Sequence, residues 1–253
     1  YYGQDHTFNG SDVYLQYIKT WGGTEAEFGN APAISDWTSL VQYVQDNNMG
    51  EAQHFDYVNS QLNINSLIDY FVINSFVVSR DWLNYNTGWW RGLDPSGEAQ
   101  KWRYTLWDMD AALGHYINFT GMPDVSATAD PCQVENLNVG DGHTQTLRKL
   151  IQENPAARQM YVTRYADLLN THLSCENILQ LYDEMIAVIA PEMPRQIARW
   201  GGNMTQWQTN VADAREFLST RCAYLMNTGI GECYNLTGPL LPPLMCNPLI
   251  QEE

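Results

Sequence analysis

Apolar positions change their period along this chain, and the changes mark its elements. In residues 65–79 (NSLIDYFVINSFVVS), Leu67, Ile68, Phe71, Val72, Ser75, Phe76 and Val78 fall on nearly all sides of a 3.6-residue turn. A helix that is apolar all round is a buried helix. Two aromatic-rich segments follow, 86–92 (NTGWWRG) and 101–108 (KWRYTLWD), on either side of the turn cluster 93–98 (LDPSGE). That arrangement predicts a β-hairpin, which would return Asn86 to the side of Asp108. Trp37, Leu40, Val41 and Val44 are helically spaced in residues 36–44, and Ser35 stands ahead of them as an N-cap. Further helices are read at 144–152, 155–172, 176–190 and 206–227. Residues 122–143 are long, polar and broken by Gly and Pro, so they read as a mobile loop next to the hairpin.

The fold class is therefore α+β, predominantly α-helical, with one short hairpin. At 253 residues, with 44% hydrophobic and 17% charged residues, the chain can bury a sizeable core. No apolar run is long enough to span a bilayer. A net charge of -16 with only 13 Lys and Arg argues against nucleic acid as a partner. It favours basic partners, a Ser-rich basic peptide among them, although acidic surfaces also serve solubility.

The five cysteines, Cys132, Cys175, Cys222, Cys233 and Cys246, form no C-x-x-C pair, which disfavours zinc. Gly229-Ile230-Gly231 reads as a return loop between Cys222 and Cys233, so that bridge is expected first and Cys132 with Cys175 second. Cys246, in the Pro-rich tail, would stay unpaired. Either bridge implies an oxidising compartment. The histidines form no H-E-x-x-H spacing and no G-x-S-x-G elbow accompanies them. His115, after Gly114, is within range of a phosphate or is an exposed loop residue.

The candidate chemistry lies between residues 79 and 114. Ser79-Arg80-Asp81-Trp82-Leu83-Asn84-Tyr85-Asn86 is followed by Trp107-Asp108-Met109-Asp110-Ala111-Ala112-Leu113-Gly114. Asp81 is suited to orient a hydroxyl nucleophile, and the oxygens of Asn86 and Asp108 are suited to a hard cation such as Mg²⁺. Asp108 and Asp110, two apart on an extended strand, would point the same way, a repulsion that a cation relieves. Arg80 is an anchor for the loop or a phosphate contact. Trp89, Trp90, Trp102 and Trp107 pack a sheet or stack a base.

The order of these segments resembles the CotH family, regarded as atypical protein kinases. The likeness continues through Arg164-Tyr165-Ala166-Asp167-Leu168-Leu169-Asn170-Thr171, Pro191-Glu192-Met193, Arg199-Trp200-Gly201-Gly202 and Arg215-Glu216-Phe217-Leu218-Ser219-Thr220-Arg221-Cys222, and covers about residues 10 to 235. It implies the larger lobe of a protein-kinase-like fold, and transfer of the ATP γ-phosphoryl group to a protein Ser or Thr hydroxyl with Mg²⁺ or Mn²⁺. Asp81 would be the catalytic aspartate. Asn86 and Asp108 would hold the metal-nucleotide, with Asp110 completing the metal shell or only hydrogen-bonding the loop. The resemblance also implies a secreted or surface-displayed bacterial protein.

The family's nucleotide-clamping lobe is expected to be missing, so the chain reads as a fragment that by itself should bind nucleotide weakly and show little kinase activity. Of Lys19, Lys101 and Lys149, none reads as lying in an apolar strand followed by a helical acidic partner. Residues 1–30 are then a remnant of that lobe or a linker, 31–235 the helical lobe, and 236–253 a Pro-rich tail. Two alternatives stay open, a non-enzymatic surface or adhesion module on the same scaffold and a metal-dependent phosphoesterase.

Overall fold

The computed structural model describes residues 14–95, 97 and 99–235. Its elements in chain order are β1 (Leu15–Thr20), β2 (Thr24–Phe28), α1 (Asn30–Asp46), α2 (Ala52–Gln61), α3 (Ile64–Val77), β3 (Thr87–Gly92), β4 (Arg103–Thr105), α4 (His143–Glu153), α5 (Pro155–Asn170), α6 (Cys175–Ile189), α7 (Met193–Trp200), α8 (Met204–Tyr224) and α9 (Ile230–Tyr234). A 3₁₀ turn (Pro131–Asn136) precedes α4, and a π turn (Leu225–Gly229) joins α8 to α9. The strands form one antiparallel sheet in the order β2-β1-β3-β4, and most of the remainder is helical. The class is α+β.

The buried helix and the hairpin form where the apolar pattern places them. The Asn63 side chain accepts from the Ser66 N–H and so caps α3, whose Leu67, Phe71, Val72 and Phe76 are buried. In the hairpin Trp89 pairs with Tyr104 and Trp90 with Arg103. Trp89 and Trp102 are fully buried and meet Trp37 at centroid distances of 5.5 and 5.7 Å, tilted and edge-on as aromatic quadrupoles prefer. His143 joins them, 4.5 Å from Trp89, with its Nδ1 against the Tyr104 hydroxyl. Burial lowers the His143 pKa to about 4, which keeps the ring neutral. Trp90 lies on the other face under the Arg103 guanidinium, and Trp107 is exposed.

Two strands and a helix escape a hydrophobic reading for a definable reason. Of the buried, inward positions of β1, Gln16, Ile18 and Thr20, only Ile18 is apolar. Gln16 is satisfied by Asp36 and Arg91, and Thr20 by Asp141. In α2 only Val58 is buried, too little to set a period.

Four expectations are corrected. First, α1 begins at Asn30, not after Ser35, whose hydroxyl donates to the Pro32 carbonyl inside the helix. Pro32 sits in the first turn, where its missing N–H costs nothing.

Second, residues 122–143 are not an open loop. Met122, Ala129, Pro131, Val134 and Leu137 are buried, and the guanidinium of Arg221 donates to the carbonyls of Ala127 and Ala129 as well as to those of Ser75 and Phe76 at the end of α3.

Third, the disulfides are Cys132–Cys233 and Cys175–Cys222, with Cα separations of 5.8 and 5.4 Å. The π turn carries the chain onward in a helical course rather than reversing it at 229–231. Cys222 therefore faces α6, and Cys233 faces the 3₁₀ turn.

Fourth, β4 ends at Thr105, so Asp108 and Asp110 do not lie on a strand. Cys246 and the Pro-rich tail fall outside the described residues. Among those described, no helix is long and apolar enough to cross a membrane.

Candidate active site

The site is a loop thrown off the end of α3 and fastened on both sides. Val78 adopts a left-handed φ of 51°, and the Ser79 N–H returns to the Asn74 carbonyl, which turns the chain out of the helix at Arg80. The Arg80 N–H donates to the Ala111 carbonyl, while its own carbonyl accepts from the Thr120 N–H. Its guanidinium donates to the carbonyls of Tyr116 (3.0 Å) and Val125 (3.2 Å), so Arg80 anchors the loop.

Two hydroxyls complete the frame. Thr120 Oγ1 accepts from the Trp82 N–H and donates to the Trp82 carbonyl. Thr87 Oγ1 accepts from the Leu83 N–H and lies 3.0 Å from the Tyr70 hydroxyl. Gly140, at φ +81°, packs on this loop, and a Cβ there would stand 2.7 Å from the Leu83 carbonyl oxygen.

Backbone strain concentrates in this region. Of eight non-glycine residues with positive φ among those described, six (Val78, Leu83, Asn86, Asp108, Leu113 and Tyr116) lie between Val78 and Tyr116. Each such residue costs on the order of 1–3 kcal/mol and persists only where its surroundings enforce it.

The polar atoms inside the loop are unevenly satisfied. Asn86 Nδ2 donates to Asp81 Oδ2 at 3.0 Å. Asp81 Oδ1, Asn84 Oδ1 and Asn86 Oδ1 are buried with no protein partner. Asn84 Nδ2 donates to the Phe119 carbonyl, which fixes the amide and leaves its oxygen unpaired. Buried polar atoms are ordinarily paired, so three unpaired oxygen acceptors on one loop are an exception with a chemical meaning. All three are hard ligands.

The Asp81 carboxyl titrates above the usual carboxylate range because burial disfavours its charge, with Asp108, then Asp110, adding repulsion and the Asn86 hydrogen bond opposing them. The hairpin thus brings Asp108 and Asp110 into the electrostatic neighbourhood of Asp81. Both are exposed, Asp108 has a left-handed φ of 52°, and Asp81, Asp108 and Asp110 do not all lie within 4.8 Å of one another. Their proximity comes from the irregular turn after β4 and not from strand pleating.

Sequence reasoning missed Asn84. The one available signal was a third oxygen-bearing side chain between Asp81 and Asn86, undistinguished until its amide orientation is known.

The remaining candidates separate clearly. His115 is an exposed loop residue. Lys19 lies in β1, a strand with largely polar inward positions, and its acidic partners Glu27 (2.6 Å) and Glu25 (3.3 Å) come from β2 and not from a helix, in keeping with the sequence reading.

No curated protein and no solved structure matches the chain. The model of one protein family, described as CotH kinase protein, matches residues 16–225, a span that runs from the second residue of β1 past the end of α8. On that match, and with the helix, loop and hairpin arranged as above, the chain belongs to the CotH kinase protein family.

Proposed function

We propose that this domain is an atypical protein kinase, built as the larger lobe of a kinase-like fold, that transfers the γ-phosphoryl group of ATP to Ser or Thr hydroxyls of an exported protein. One observation carries the reading. The loop from Asp81 to Asn86 holds three buried oxygen acceptors without partners, beside two further aspartates, in a chain whose family is named for kinase activity. That donor set fits Mg²⁺ or Mn²⁺, hard cations that prefer carboxylate and amide oxygens.

Asn86 and Asp108 would hold the cation, with Asp110 as a further ligand. A divalent cation bound there would neutralise charge on the phosphate oxygens. Asp81 orients the acceptor hydroxyl and takes its proton, and the pKa raised by burial moves it toward the range where a carboxylate is an effective base. The Asn86 amide holds the other Asp81 oxygen in place.

Trp82 and Leu83, both buried and clamped by Thr120 and Thr87, keep the loop from relaxing. The net charge of -16 favours a basic, Ser-rich acceptor. The two disulfides fit an extracytoplasmic location, that of a secreted or surface-displayed bacterial protein.

The test is transfer of labelled phosphate from γ-labelled ATP to a basic Ser-rich peptide with Mg²⁺ or Mn²⁺. Asp81→Asn is expected to lower the rate by ~10²- to 10⁴-fold, the range of general base catalysis. Transfer unaffected by that substitution, or release of free phosphate with none on the peptide, contradicts the reading.

A further inference from the structure

Arg80 and Arg221 have no carboxylate partner among the described residues, and both reach the same short segment. Arg80 donates to the carbonyls of Tyr116 and Val125, and Arg221 to those of Ser75, Phe76, Ala127 and Ala129. Each is half-buried or buried, and Arg80 Nε has no partner. The Arg80 guanidinium, partly exposed and met only by carbonyl dipoles, remains an electrostatic seat for an anion.

Between the two contacted carbonyls, those of Val125 and Ala127, stands Ser126. It is exposed, and its hydroxyl is 3.3 Å from that of Thr128. Its N–H is held by Asp124 Oδ1 at 2.8 Å, which fixes the turn that presents the hydroxyl. Asp124 and Asp130 are the carboxylates nearest this segment, and they weaken the positive field without pairing with either arginine.

We propose that Ser126 is a phosphorylation site whose phosphate is received by Arg80, locking residues 121–130 onto the loop that carries Asp81. The donor rests on the kinase reading above. Ser126 Oγ forms a bond to the γ-phosphorus of ATP, the bond from that phosphorus to the β,γ-bridging oxygen breaks, ADP leaves, and the hydroxyl proton passes to Asp81 of a second copy. The phosphoserine carries close to two negative charges and three acceptor oxygens, enough to engage the Arg80 fork bidentately. Because Arg80 adjoins Asp81, fixing its guanidinium also fixes the catalytic loop. Ordering a segment through a new arginine–phosphate pair is an established kind of switch.

The test needs no turnover. Phosphoserine is installed at position 126 during translation by codon reassignment, and thermal unfolding and limited proteolysis are compared with the unmodified protein. A Tm rise of about 2–4 °C is expected, with slower cleavage between residues 121 and 130. The rise should shrink in an Arg80→Gln background and, if that variant folds poorly, in Arg80→Lys, which keeps the charge but loses the fork.

No rise, or a rise of equal size without the Arg80 guanidinium, overturns the proposal. In parallel, the protein is incubated with Mg²⁺ and ATP and its phosphorylated residues are mapped by mass spectrometry. Phosphate on other hydroxyls and never on Ser126 also overturns it. Absence of transfer to any acceptor counts against the kinase reading instead, and the installed phosphoserine still decides whether the seat exists.

Discussion

Among the buried polar atoms without partners, two adjoining groups differ in chemistry. Beneath the β3–β4 hairpin they are the indole N–H groups of Trp89 and Trp102 and the Nε2 of His143, enclosed by aromatic faces. At the end of the hairpin they include the oxygens of Asp81, Asn84 and Asn86, together with the Arg80 Nε and the Trp82 indole N–H. In the first region the backbone is regular strand and helix. The second holds a cluster of left-handed residues fastened by Thr87, Thr120 and Arg80.

Unpaired indole donors are a side effect of packing large rings, whose burial outweighs a lost hydrogen bond. Unpaired oxygens enforced on a strained loop have no such compensation inside the protein. On the proposed reading, the first region serves stability and the second would bind a ligand.

The largest effect that separates them is on stability. Trp89→Ala should cost about 3–5 kcal/mol through the cavity it opens. At this chain length that is a fall of about 10 °C in Tm. The contrast breaks if the loss is small while cation binding disappears.

Next comes the pH dependence of unfolding. His143 has a folded pKa near 4 against 6.5 for an unperturbed ring, so the unfolded chain binds a proton that the folded one refuses. Its stability contribution is complete above 6.5 and is lost as pH falls toward 4, at ~1.4 kcal/mol per pH unit. Urea unfolding at pH 7 and pH 5 should show this slope, and His143→Phe should flatten it.

The smallest effect has the opposite sign. Because the folded-state pKa of the Asp81 carboxyl is raised, its contribution is favourable at low pH and is lost as pH rises through that pKa. Asp81→Asn should therefore unfold at an equal or slightly higher Tm at neutral pH, by roughly 1–2 °C, while the proposed transfer slows. A marked loss of stability would show that Asp81 serves the fold.

How much of this was legible in the sequence follows from what each residue signals locally. α3 could be read because its apolar residues cover a whole helix, and the hairpin because two aromatic runs flank a turn cluster. β1 was hidden because two of its inward side chains, Gln16 and Thr20, are polar and satisfied by residues far along the chain. The disulfide pairing depends on the π turn at Leu225–Gly229, which no composition rule marks.

At the candidate site, type and spacing single out Asp81, Asn86, Asp108 and Asp110, and the structure hydrogen-bonds Asn86 to Asp81 and brings the other two into its electrostatic neighbourhood. The geometry assumed for Asp108 and Asp110 was wrong because the strand stops three residues short of Asp108. Asn84 went unseen, since the orientation of its amide is set by the Phe119 carbonyl, 35 residues away.

Titration of Mn²⁺ and Mg²⁺ into the protein by calorimetry, with and without ATP, bears most directly on the claim that these oxygens form a cation site. Saturable binding is expected in the wild type, weakened at least tenfold in Asn86→Leu and in Asp108→Ala, with both variants still folded. Binding that is absent in the wild type, or equally strong in both variants, would contradict the account.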